Sequence, residues 1–136
     1  MASNLIAPTT PPLPAKPGQR LDWYGLAGAA PALAIASAAA AAPNLTLVAA
    51  ATSQLAQQLE TELHFFGGEA LNVEVMPDWE TLPYDVFSPH QDIVSQRLLT
   101  LYRLPTVQHS VLIVPVATLI QRIAPASYLE KRAFVV

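Results

Sequence analysis

Pro77–Pro105, PDWETLPYDVFSPHQDIVSQRLLTLYRLP, runs on to VLIVPV at Val111–Val116, and together the two stretches spell loop, helix and strand. VLIVPV is a continuous apolar run of the kind that forms a parallel strand covered on both faces. Ahead of it stands a complete helix start. Ser88 is at the N-cap position, Pro89 at the first helical position, and Gln91 at the third, where its side chain reaches back to the cap. Ile93, Val94, Leu98, Leu101 and Tyr102 are expected on the inner face of that helix, and Leu104-Pro105 ends it. Upstream, Leu71, Val73 and Val75 alternate with Asn72 and Glu74 as in a half-buried strand. The acidic, aromatic passage from Asp78 to Phe87 therefore bridges a strand and a helix, a place where rigid scaffolds carry function.

Further out the alternation continues. Leu45–Val48 is a short apolar run after Pro43-Asn44, expected as a buried strand. Thr52 caps a helix with Leu55, Leu59 and Leu63 on one face, ending at Gly67-Gly68. Leu26–Ala42 has helical propensity, with Pro31 tolerable only in a first turn. Thr118–Ile123 is expected as a short helix and Ala133–Val136 as a further strand. Strands alternating with helices predict an α/β fold with a parallel, three-layer sheet. Met1–Gly18 carries too many prolines for regular hydrogen bonding and reads as a disordered or polyproline leader. The expected organisation is a leader over residues 1–19, a domain over 20–132, and the start of a further, missing domain over 133–136. An apolar, uncapped strand at the terminus is the sign of such a truncation.

Composition excludes several functions. The chain has 136 residues, room for one domain with a core, and a net charge of −3 with only 7 Lys and Arg. Its lysines are Lys16 and Lys131, with no basic stripe between them, which argues against autonomous nucleic-acid binding. The absence of cysteine excludes disulfides, thiolate metal sites and a cysteine nucleophile. Trp23–Ala42 is uncharged, but alanine gives little membrane affinity and Pro31 interrupts the run. A buried helix of a cytoplasmic protein is expected there, not an export signal.

Specific motifs then point to a family. Asp78–Asp85 (DWETLPYD), Phe87–Ile93 (FSPHQDI), Leu101–Pro105 (LYRLP), Val111–Val116, Thr118-Leu119 and Gln121-Arg122 resemble the N-terminal, UvrB-like region of bacterial transcription-repair coupling factors. The resemblance implies a degenerate RecA-like or helicase-like domain of the P-loop NTPase type. It implies a parent that is an ATP-dependent DNA translocase, displacing RNA polymerase stalled at DNA lesions and recruiting nucleotide excision repair. The implied partners of this piece are the other domains of the parent. The excinuclease A subunit (UvrA) is met through the adjoining domain, and RNA polymerase and DNA only through the parent, with no membrane involved.

In the excinuclease B subunit and motor helicases, the first βα turn is the phosphate loop G-x-x-x-x-G-K-[ST]. That loop needs free amides, a lysine and a magnesium-holding hydroxyl. On the resemblance, the matching stretch is Gly25 to Ala32, with Gly25 at the first required glycine, Gly28 at a free position, Ala30 for the second required glycine, Pro31 for the lysine and Ala32 for the hydroxyl. These residues alone would not mark a phosphate loop. The expectation is a decayed site, no cofactor, no catalytic residue and no enzyme activity in this chain. The competing reading is a domain that retains ATP or damaged-DNA binding.

The candidate interaction loop comprises Asp78, Trp79, Glu80, Tyr84, Asp85 and Phe87. The carboxylates with His90 and Asp92 match no metal-ligand spacing. Asp92 lies in a first helical turn, where it favours the helix dipole, and Asp78 and Asp85 suit turns beside Pro83. Trp79, Tyr84 and Phe87 either pack the loop on the sheet or offer aromatic contacts to a partner. Met76–Ser88 is too short for the tyrosine-rich DNA-gripping hairpin of the excinuclease B relative, and it carries acids where base stacking wants cations. His64 and His109 are isolated and read as structural.

Overall fold

A computed structural model describes residues 6–79, 86, 90–123 and 125–130. The chain runs through α1 (Ala30–Ala41), β1 (Thr46–Ala50), α2 (Ser53–Gly67), a short 3-10 turn (Gly68–Ala70), β2 (Asn72–Val75), α3 (Gln91–Arg103), β3 (Ser110–Pro115), α4 (Val116–Leu119) and α5 (Ala126–Glu130). The three strands form one parallel sheet in the order β1-β3-β2. Parallel neighbours cannot be joined by tight hairpins, so the helices are the crossovers.

β3 is the centre, and every one of its residues is buried. Its alternation divides the core. Val111 and Ile113 meet Val73 and the buried residues of α1 and α2, whereas Leu112 and Val114 meet Met76, Leu101 and Leu104 on the opposite face. Helices thus cover both sides of a small parallel sheet, as the α/β reading expects.

Alanine explains α1. Ala32, Ala34, Ala36, Ala38 and Ala39 are buried, and their size lets the helix lie close along α2. The helix starts at Ala30, not Leu26, because Gly25 and Gly28 hold φ of 77° and 59°, outside the right-handed helical region. Pro31 consequently falls in the first turn, where its missing N–H does no harm. In α2 the Leu55 N–H donates to Thr52 Oγ1 at 3.1 Å, the cap read from sequence. Thr52→Ala is expected to lower stability by about 1 kcal/mol, measured as a shifted denaturant midpoint. Leu59 and Leu63 are buried but Leu55 is exposed. Each four-residue step overshoots the helical repeat by about 40°, so the row drifts off the core and Ala56 is buried in its place. Gly67 has no room for a side chain, since a Cβ there would lie 2.6 Å from the Leu71 Cβ as the chain turns toward β2.

Three further expectations are corrected. α3 begins at Gln91 with His90 at its N-cap, not with Ser88 as cap, and Ser88 and Pro89 lie outside the described residues. His90 accepts from the Asp92 N–H at 3.4 Å and takes over the capping role. The buried residues of α3 are Arg97 and Thr100, whereas Tyr102 is exposed and Ile93, Val94, Leu98 and Leu101 are only half-buried. The helix is turned toward polar partners for Arg97 and against α5, an element not anticipated from sequence. α4 spans Val116–Leu119, earlier than Thr118–Ile123, because Pro115 stands at its N-cap and starts it directly from the strand. The strand expected at Ala133–Val136 lies outside the described residues. Among those described, no helix is long and apolar enough to cross a membrane.

Candidate functional site

Parallel α/β sheets place their ligand sites at the carboxyl ends of the strands. Two candidate features lie at that edge, the entry to the acidic loop and the start of α1.

Asp78 follows β2 and gathers a polar knot. Its Oδ1 accepts from its neighbour's Trp79 N–H at 2.8 Å, from Thr118 Oγ1 at 3.1 Å and from Gln121 Nε2 at 3.2 Å. The loop entry is thereby tied to α4 and the residues after it. Arg97 holds it from the other side. Its Nη1 donates to the Pro77 carbonyl at 2.5 Å, and its guanidinium lies 4.3 Å from the Trp79 ring centroid. The side chain is buried, at 2% exposure. Burial pushes the guanidinium pKa down and the negative charge of Asp78 pulls it back up. A guanidinium stays charged in proteins under either influence.

Asp78 thus joins the backbone of Trp79 to the side chains of Thr118 and Gln121, whereas the turn expected beside Pro83 lies outside the described residues. Trp79 is half-buried, with the Arg97 guanidinium over its ring. Glu80, Tyr84, Asp85 and Phe87, the remainder of the candidate loop, lie outside the described residues. Arg97, Thr118 and Gln121 were not singled out from sequence as site residues. The available signal for Arg97 was its spacing, four residues from both Ile93 and Leu101, which sets a charge within an apolar stripe. Gln121 Oε1 is buried with no partner among the described residues.

His90 and Asp92 are both exposed, with Nδ1 and Oδ2 3.3 Å apart. His90 Nδ1 is the acceptor for the Asp92 N–H that caps α3. His64 is exposed in the last turn of α2, and exposed His109 adopts φ 48° just before β3. Neither belongs to a cluster. Among the described residues, no three His, Asp or Glu side chains converge as a metal site would require.

The start of α1 comprises Gly25, Gly28, Ala29, Ala30, Pro31 and Ala32. An isolated bridge at Tyr24 precedes it. No side chain caps Ala29, and there is no acidic residue in the first turn. The Ala30 N–H donates to the Ala27 carbonyl at 3.1 Å, and the Leu33 N–H to the Ala29 carbonyl at 3.1 Å. Pro31 has no N–H, and Ala32 is fully buried.

Fold and site first define a class: an α/β protein with a small parallel sheet and a polar knot at its carboxyl edge. No family model matches the chain. Curated proteins do. It is 47% identical over 123 residues to the transcription-repair-coupling factor of Escherichia coli, covering 90% of this chain and 10% of that protein. It is 35% identical over 126 residues to the Haemophilus influenzae protein of the same name, covering 93% and 11%, and 39% identical over 100 residues to that of Mycobacterium bovis, covering 74% and 8%. The chain belongs to the family of transcription-repair-coupling factors, and it spans about a tenth of the length of the curated relatives it matches.

Proposed function

We propose that this chain is a non-catalytic scaffold and interaction module within transcription-coupled repair, built on a helicase-like, UvrB-like domain of residues 20–132 whose nucleotide site has decayed. The observation that carries this reading is the α1 start. A triphosphate site at a helix N-terminus requires amides aimed outward and a cation to match the phosphate charge. Here the Ala30 amide is spent on Ala27, Pro31 has none, and no lysine or hydroxyl stands in the turn.

The scaffold reading assigns partners through neighbours. The parent's other domains pack on the chain, the excinuclease A subunit is met through an adjoining domain, and RNA polymerase and DNA are met only through the parent. The exposed apolar side chains fit such packing. Leu47 is 55% exposed although its strand neighbour Leu112 is buried, and Ile120 and Ile123 are open after α4. Hydrogen exchange compared between this chain and the longer parent tests this. Amides of β1 and of residues 116–123 are expected to exchange more slowly in the parent. Equal rates in both would show that nothing covers this surface, and the scaffold reading would fail.

A further inference from the structure

We propose that the open edge of β2 is a docking site for an extended basic segment of a partner polypeptide, which joins the sheet as a fourth strand. The proposal does not depend on whether the chain binds nucleotide.

Among the described residues β2 is paired on one side only, to β3. The Met76 N–H reaches the Ile113 carbonyl at 2.8 Å, which fixes the direction of every backbone group in the strand. Alternate residues of a parallel strand turn their N–H and C=O to the same side. With Asn72, Glu74 and Met76 facing β3, Val73 and Val75 present theirs to the open edge. Among the described residues no hydrogen bond satisfies those outward groups.

This edge is not a flat rim. It forms the floor of a groove of about 610 Å³. Ser53, Gln57 and Glu60 of α2 make one wall, and Gln96, Thr100 and Arg103 of α3 help make the other. An added strand runs about 4.8 Å from its neighbour and satisfies outward backbone groups in pairs, which is the mode of β-augmentation. The polar walls suit side chains that alternate to either side of such a strand better than they suit an apolar ligand.

Charge selects the occupant. The lining carboxylates are Glu60, Glu74 and Asp78, and the lining cation is Arg103. Arg103 lies 3.9 Å from Glu74, and Asp78 has Arg97 beside it. Glu60 has no ion pair among the described residues. Among the described residues the groove therefore carries a negative charge on its α2 wall with no cation against it, which a lysine or arginine of the incoming strand neutralises.

The test is a selection of displayed heptapeptides on the chain, followed by affinities of the winners for designed variants. Val75→Pro removes one outward N–H while leaving the β2–β3 ladder intact, the one kind of strand position where proline is tolerated. Enriched peptides are expected to carry lysine or arginine, to bind Val75→Pro and Glu60→Lys at least tenfold more weakly, and to weaken as salt rises. Should Val75→Pro fail to fold, N-methylation of alternate amides in the same peptides, tested on the unaltered chain, reads out the same backbone bonds. One of the two methylated phases is expected to abolish binding and the other to leave it. Acidic winners, equal affinity for the variants, indifference to methylation in both phases, or no enrichment at all would overturn the proposal. So would a concentration-dependent dimer that Val75→Pro abolishes, because the edge would then belong to a second copy.

Discussion

Arg97→Ala is expected to destabilise the chain by about 3 kcal/mol, read as a lowered denaturant midpoint with an unchanged slope. The guanidinium is buried, donates to the Pro77 carbonyl and covers the Trp79 ring. Its loss leaves that carbonyl short of a charged donor and removes the cation that interacts with Asp78. A charge-assisted hydrogen bond is worth about 1.5–3 kcal/mol, and the cation–π contact adds about 1 kcal/mol. Arg97→Lys keeps the charge but not the planar fork, so it should recover only part of the loss. The internal control is Arg103→Ala. That side chain is about half exposed and 3.9 Å from Glu74, so its removal should change stability by less than about 0.5 kcal/mol. Equal effects from the two substitutions would contradict the knot as a stabilising element.

Ile113→Ala is expected to have the larger effect, about 3–4 kcal/mol, by the same measurement. Ile113 is fully buried in the middle strand and packs into the core formed with α1 and α2. Deleting its side chain removes buried methylene groups and leaves a cavity that rigid neighbours cannot fill. Ile113→Val should cost only about 1 kcal/mol. Leu47→Ala, at a strand position 55% exposed in this chain, should be near neutral. A large loss at Leu47 would mean that this side of β1 is covered in solution.

How much of this was legible in the sequence depended on whether local chemistry or tertiary partners decide a position. β3 was legible because a run of apolar residues without alternation has only a two-sided burial to satisfy. Thr52 was legible because a hydroxyl three residues before an unpaired amide caps it locally, wherever the helix lies. Pro31 was legible as a first-turn residue for the same reason, and the glycines before it placed the boundary that propensity alone put too early. The start of α3 was not legible, because Ser88 and His90 both offer a cap and local pattern does not choose between them. Arg97 was not legible as a buried residue, because only its partners at Pro77, Asp78 and Trp79, distant in the sequence, make burial of a charge tolerable. α4 and α5 are a single turn or little more, too short to be fixed by propensity, and packing decides them. The Asp78–Phe87 loop was recognised as a unit from its acids and aromatics, but only the base of it, Asp78 and Trp79, is placed among the described residues.

Calorimetric titration of this chain with ATP and magnesium bears most directly on the claim that its helix start holds no nucleotide. The account expects no saturable heat into the millimolar range, since Ala30, Pro31 and Ala32 supply neither cation nor hydroxyl, and the only two amides among them are spent or buried. Saturable micromolar binding that is lost when Gly28 is replaced by valine would contradict it and restore a working phosphate site to this turn.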